Sequence, residues 1–125
     1  MNNKSNTILL VEDDVFLQRM YAAKLTKEGY NTLVASDGEK ALALMLENIP
    51  DAVLLDVLLP KKDGFAVLEA MRADAKLKDV PVVLLTNMSE PEDIKRARRL
   101  GANEYLIKAH FLPSEVIEVL RKYIK

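Results

Sequence analysis

Short apolar runs recur along the chain, at Thr7 to Val11, Ala52 to Leu55, Val80 to Leu85 and Tyr105 to Ile107, and Asn31 to Ala35 (NTLVA) adds a further strand-like stretch. Runs this brief predict strands, and the unbroken ones predict strands buried on both faces, as in a parallel sheet. Between them the period changes to helical. Leu17, Met20, Tyr21 and Leu25 fall on one face before Gly29, and Ala41, Leu42 and Met45 fall on another. Phe65, Val67, Leu68 and Met71 mark a third helix from Gly64 to about Arg72, and Val116, Ile117, Leu120 and Ile124 mark the last. A fourth helix ends at Gly101. Ser36 with Glu39, and Ser89 with Glu92, fit capping boxes. Pro113 suits the first turn of the final helix.

Strict strand–helix alternation with continuous apolar strands predicts a parallel sheet covered by helices on both faces. Right-handed crossovers leave a doubly wound (βα)5 flavodoxin-like three-layer sandwich, sheet order 2-1-3-4-5, as the leading arrangement. Composition adds little to this picture. The 125 residues suit a single domain, 1–125, with an ordered core of about 6–124. Lysine and arginine total 18 against 19 acids, so no global field recruits nucleic acid or a membrane surface. Cysteine is absent, excluding disulfides and thiolate metal sites. The opening MNNKSNT has no apolar segment of the leader type, and no run is long enough to span a bilayer, so a cytoplasmic protein is expected.

The chemistry gathers where strands end. The first run stops at Glu12, Asp13 and Asp14, the second at Ser36 and Asp37, the third at Asp56, the fourth at Thr86 and the fifth at Lys108. Ligands of open parallel sheets bind outside the carboxyl ends of strands, where strand order reverses. That crevice would lie beside strands one and three, gathering Glu12, Asp13 and Asp56 with Thr86 and Lys108 flanking. Asp37, on the edge strand, would stay outside it. Two unit charges about 4 Å apart repel by roughly 4 kcal/mol at an effective dielectric of about 20. One lysine cannot neutralise three carboxylates, whereas a hard divalent ion such as Mg²⁺ can, using one or two of them and leaving positions open for phosphate oxygens. A carboxylate so placed can act as a nucleophile toward phosphorus.

The motif VEDD at 11–14, the pattern D-x-x-x-P-x-x-D-G at 56–64, Thr86 and Lys108 together resemble the receiver domain of bacterial response regulators over essentially the whole chain. The resemblance implies that Asp56 is the phosphoacceptor, charged by a sensor histidine kinase or phosphotransfer protein. It implies Mg²⁺ held by Asp13, Asp56 and the Leu58 carbonyl, with Glu12 acting through water. Thr86, Lys108 and the Asn87 backbone would contact the phosphoryl group. Thr86 and Tyr105 would form the switch, altering the face of helix four, strand five and helix five for a downstream protein target. Neither nucleic acid nor membrane is expected as a direct partner, and with no output domain expected after residue 125, output is expected to pass through protein contacts.

Some positions depart from the family. Proline is usual after the lysine, and here Ala109 stands there. A cis Lys108–Ala109 bond would cost roughly 2.5–4 kcal/mol without proline, so a trans or reshaped loop is expected. Asn87 is larger than is frequent after the threonine. Leu58 and Met88 lie where the family tunes phosphate lifetime, and neither can orient an attacking water, which predicts slow self-dephosphorylation. Two rival readings remain: a degenerate receiver that binds partners without phosphorylation, and a Mg²⁺-dependent phosphatase with an aspartate nucleophile. Leu58 counts against the phosphatase, which needs a second acid there. The run Lys95-Arg96-Ala97-Arg98-Arg99 closes a helix that opens acidic, which reads as complementing the helix dipole. Asp63-Gly64 reads as a turn, Asp14 as exposed, and the lone His110 as a loop residue.

Overall fold

The computed structural model describes residues 6–124; most of the N-terminal segment read above for a leader lies outside them. The elements run β1 (Thr7–Val11), α1 (Val15–Lys27), β2 (Asn31–Ala35), α2 (Gly38–Glu47), β3 (Ala52–Leu55), α3 (Gly64–Arg72), β4 (Val82–Thr86), α4 (Pro91–Arg99), β5 (Glu104–Ile107) and α5 (Pro113–Arg121), with a 3₁₀ turn over Lys108–His110. All strand pairs are parallel, in the order β2-β1-β3-β4-β5. The doubly wound flavodoxin-like fold expected from the alternation is the one observed.

Side-chain alternation along the strands builds two separate cores. Leu9, Val11, Val53, Leu55, Val82 and Leu84 pack with Met45, Phe65, Leu68, Met71 and Ala97, which puts α2, α3 and α4 on one face. Ile8, Leu10, Leu54, Val83 and Leu85 pack with Tyr21, Leu25, Val116, Ile117 and Leu120, which puts α1 and α5 on the other. Every residue of β3 and β4 is buried, since both faces are covered. Each fully buried leucine contributes about 1.5–3 kcal/mol, so these strands form a rigid base for whatever sits at their ends.

Local signals were displaced at several element ends. β4 begins at Val82, not Val80: Pro81 has no N–H to give the ladder, and the Val80 N–H turns back to the Leu77 carbonyl. α2 is capped by Asp37, whose carboxylate accepts from the Lys40 N–H at 2.8 Å, and not by Ser36. Ser36 instead accepts a hydrogen bond from the Gln18 amide. α4 starts at Pro91 with Glu90 preceding it and no side-chain cap, so Ser89 lies one residue too early. Met20 is 40 % exposed and does not join the core with its helical neighbours Tyr21 and Leu25.

Opposite the strand ends of interest, Arg72 ties the fold together. Its guanidinium donates to the carbonyls of Val80 (2.9 Å), Lys78 (3.1 Å) and Gly101 (2.9 and 3.1 Å), and to Asn103 Oδ1 at 3.3 Å. Asn103 Oδ1 also accepts from the Val82 N–H at 2.8 Å. The end of α3, the connection into β4 and the turn before β5 are thereby held at one point. Burial lowers the Arg72 pKa from its ordinary value, opposed by the charge of Asp79.

Candidate functional site

Among the described residues, the buried polar or charged side chains are Glu12, Asp56 and Thr86, and all three stand at or just beyond the carboxyl ends of β1, β3 and β4. Backbone pairing of β3 with β1 sets Asp56 beside Glu12, the Asp56 N–H donating to the Val11 carbonyl at 3.1 Å, while the Glu12 N–H ties β1 to β2 through the Ala35 carbonyl at 3.0 Å. Lys108, just past β5, reaches across β4 to both. Its Nζ lies 2.8 Å from Glu12 Oε1 and 2.8 Å from Asp56 Oδ2. Asp13, adjacent but exposed, completes a group of carboxylates whose oxygens lie within 4.8 Å of one another.

The acids differ in how they are held. Both Glu12 oxygens are engaged, Oε1 by Lys108 and Oε2 by the Asp14 N–H at 3.0 Å. Asp56 Oδ2 meets Lys108, and Oδ1 accepts from the Leu58 N–H at 3.3 Å. The Asp13 carboxylate has no hydrogen-bonding partner among the described residues. Burial raises the Glu12 pKa, with the bonds from Lys108 and from Asp14 opposing it. Burial pulls Lys108 down, but its bonds to Asp56 and Glu12 outweigh this and leave its pKa raised.

The loop after β3 is fixed by the Asp63-Gly64 pair, which does more than turn the chain. Asp63 caps α3, accepting from the Ala66 N–H at 2.9 Å. Gly64 donates to the Val57 carbonyl at 2.8 Å, and a Cβ there would lie 2.3 Å from the Asp56 carbonyl oxygen. Only glycine lets α3 begin directly against the backbone of Asp56. Leu58 projects outward from this loop, 61 % exposed.

A second chain of contacts leads away from the acids. Thr86 Oγ1 accepts from the Met88 N–H at 3.4 Å, and the Met88 carbonyl accepts from the Tyr105 hydroxyl at 2.7 Å. Tyr105 is half-buried and packs against the core beneath α4. Burial, then Asp93 and Asp56, raise its pKa. Asn87 is exposed between Thr86 and Met88. The Lys108–Ala109 bond is trans, as expected without proline, and the turn it enters leaves Ala109 and His110 exposed.

Other candidates fall outside the group. Asp37 caps α2, and Asp14 caps α1 by accepting from the Leu17 N–H at 3.0 Å. Arg96, Arg98 and Arg99 of the basic run sit in the last turn of α4, with Glu92 and Asp93 in the first, as the helix dipole favours. Arg96 of this run lies 4.4 Å from the centre of the buried Phe65 ring, a cation–π contact joining α4 to α3. A cavity of about 450 Å³ lies between α4 and β5, lined by Arg98, Glu104 and Tyr105 among others, and away from the acids. Gln18 was not singled out by its sequence context, yet its amide bonds the Glu12 carbonyl at 2.7 Å. A lone glutamine in a helix gives no pattern to find it by.

The donor set suits a hard divalent cation. Three carboxylates against one ammonium leave two negative charges uncompensated at one place, all on oxygen ligands, and Asp13 is unengaged.

Comparison with known proteins agrees with this geometry. Residues 8–121 match the response regulator receiver domain. The probable transcriptional regulator ycf27 of Porphyra purpurea is 34 % identical over 125 residues, covering 100 % of this chain and 50 % of the relative. The chain thus spans about half the length of such relatives. Among solved structures, the chemotaxis protein CheY4 of Vibrio cholerae superposes with a TM-score of 0.90 at 28 % identity, over 97 % of this chain and 100 % of that one. The receiver domain of the sensor histidine kinase PA1611 of Pseudomonas aeruginosa, with a magnesium ion coordinated in its active-site cleft, gives 0.87 at 31 % identity, over 96 % and 98 %. The chain belongs to the response regulator receiver domain family.

Proposed function

Proceeding from that membership, we propose that the chain is a phosphorylation-controlled switch of two-component signalling, in which Asp56 accepts a phosphoryl group from a histidine kinase or phosphotransfer protein. The observation that carries this is the shared lysine: Asp56, buried at the end of β3, is held by Lys108 together with Glu12, while Asp13 stands unengaged within reach. Asp13, Asp56 and the Leu58 carbonyl would hold Mg²⁺ directly. Glu12, with both oxygens already hydrogen-bonded, would act through water. When bound, the cation neutralises charge on the oxygens of the transferring group.

In the transfer, an Asp56 carboxylate oxygen bonds to phosphorus as the bond from phosphorus to the donor nitrogen breaks, its electron pair remaining on that nitrogen. Lys108 gives up its share of the Asp56 carboxylate and follows the charge to the phosphoryl oxygens. The Thr86 hydroxyl hydrogen is available to a second phosphoryl oxygen, since Oγ1 acts toward Met88 only as acceptor. The Asn87 N–H, on the same loop, supplies a further donor. Movement of Thr86 draws on Met88, whose carbonyl is held by Tyr105, so the event at β4 is conveyed to β5 and α4. The face of α4, β5 and α5 then meets a protein target. The reading assigns the chain no chemistry on external substrates and carries a cytoplasmic setting with it; among the described residues, no helix is long and apolar enough to cross a membrane.

Incubation with acetyl phosphate and Mg²⁺ followed by intact-mass measurement tests the proposal. A single phosphate adduct is expected, absent in Asp56→Asn. A wild-type protein that gains no adduct would instead favour a receiver that binds partners without phosphorylation.

A further inference from the structure

Asp13 matters to the proposed site and yet its carboxylate has no partner among the described residues, so its placement depends on its backbone. The peptide unit joining Glu12 to Asp13 is planar, and fixing its carbonyl oxygen fixes the plane from which Asp13 departs. That oxygen is bound by Gln18 Nε2 at 2.7 Å. A carbonyl can only accept, so the amide nitrogen must face it, and the same nitrogen donates to Ser36 Oγ at 3.1 Å. Gln18 itself is held in the first turn of α1, its N–H on the Asp14 carbonyl at 2.9 Å.

The two bonds span the gap that opens where β1 and β2 diverge. The last ladder bond there runs from the Glu12 N–H to the Ala35 carbonyl. Beyond it the Glu12 carbonyl, the Asp13 backbone and Ser36 would be joined by nothing in the sheet, and Gln18 replaces the missing rung. With the carboxylate of Glu12 fixed by Lys108 and the Asp14 N–H, and its carbonyl by Gln18, the residue before Asp13 is held through both its side chain and its backbone.

We infer that Gln18 is a positioning residue for the acid pair, holding the Glu12–Asp13 peptide so that Asp13 is aimed at a divalent cation; this rests on the metal reading of the same site given above. Mg²⁺ demands near-octahedral ligands at about 2.0–2.1 Å, so a ligand on a loosened peptide is selected only part of the time. A merely structural role would affect the stability of the metal-free protein and leave the affinity of the folded protein for cations unchanged.

The test is a titration of the folded chain with Mn²⁺ alone, a hard divalent probe whose free form is read by electron paramagnetic resonance. Gln18→Met keeps the length of the side chain and removes the donor. It is expected to raise the Mn²⁺ dissociation constant by about tenfold, the low end for loss of an outer partner of a metal ligand. Ser36→Ala loosens the amide without removing it and is expected to give a measurable but smaller rise, which decides the matter if Gln18→Met does not fold. An unchanged constant in a folded Gln18→Met protein, or in Ser36→Ala where that variant must decide, overturns the inference alone. A wild-type chain that takes up no Mn²⁺ overturns the metal reading and this inference with it.

Discussion

Replacing Lys108 with methionine removes the charge that Glu12 and Asp56 share while keeping most of the apolar stem. Both carboxylates are buried, 3 % and 6 % exposed, and their oxygens lie within 4.8 Å. At such a separation two unit charges repel by about 3.5 kcal/mol at an effective dielectric of about 20. Removing one partner of a buried ion pair costs about 3–5 kcal/mol in general. Lys108 keeps some exposure, its side chain being 14 % accessible, so a loss of about 3 kcal/mol at neutral pH is expected. With a urea m-value of about 2 kcal/mol per molar, the unfolding midpoint falls by about 1.5 M.

The deficit should also depend on pH, with a definite sign. Burial already raises the Glu12 pKa, and Lys108 opposes it. In the variant that opposition is gone, so the pKa rises further. A group whose folded pKa exceeds its unfolded value adds stability that is fully present below the unfolded pKa and lost as pH rises through the folded one. The difference between variant and wild type is therefore smallest near the ordinary carboxyl value of 4.5 and grows toward neutrality. Lys108 does not blur this, because its own raised pKa keeps its contribution constant until pH exceeds 10.5. Urea unfolding of both proteins between about pH 5 and 8, without metal, measures it. A variant as stable as wild type at pH 8, or a deficit equal at both ends, would refute the account of the site's electrostatics.

Three further outcomes follow from other contacts. Arg72→Met removes a charged donor from the carbonyls of Gly101, Lys78 and Val80 and should cost about 2–4 kcal/mol in chemical unfolding, without reducing the phosphate adduct of the remaining folded protein. Tyr105→Phe keeps the ring and loses the bond to the Met88 carbonyl; about 1 kcal/mol of stability should go, with Asp56 still phosphorylated but phosphate-linked changes at α4 reduced, as read by amide exchange. Leu58→Asn should shorten the phosphate half-life several-fold by supplying a polar group to an attacking water, measured as the decay of the adduct mass; an equal or longer half-life in the variant would count against slow self-dephosphorylation caused by the apolar Leu58.

Strand ends were legible in the sequence because in a parallel sheet covered on both faces an apolar run stops where the chain leaves the core. Glu12, Asp56, Thr86 and Lys108 each mark such a stop, and pairing of β1 with β3, of β3 with β4 and of β4 with β5 brings them together. The exclusion of Asp37 followed from the same topology. Helix starts were less legible, since Ser36 and Asp37 both make good caps and only the backbone geometry at Asp37 selects between them. Gln18 and Arg72 escaped altogether. Each acts through carbonyl oxygens brought close by tertiary structure, and a carbonyl carries no signature in a sequence. The double engagement of Lys108 was likewise hidden: the charge count gave a lysine facing three acids, and only the fold shows which two it takes.

A receiver that switches differs from a passive phosphate acceptor in that charge gained at Asp56 is felt at Tyr105 and α4. Amide resonances of the ¹⁵N-labelled protein, recorded with Mg²⁺ before and after addition of beryllofluoride as a phosphoryl mimic, measure this directly. Shifts at Thr86, Asn87, Met88 and Tyr105 and along α4, all absent in Asp56→Asn, are the predicted result. Shifts confined to residues 12–14 and 56–58, or none at all, would contradict it.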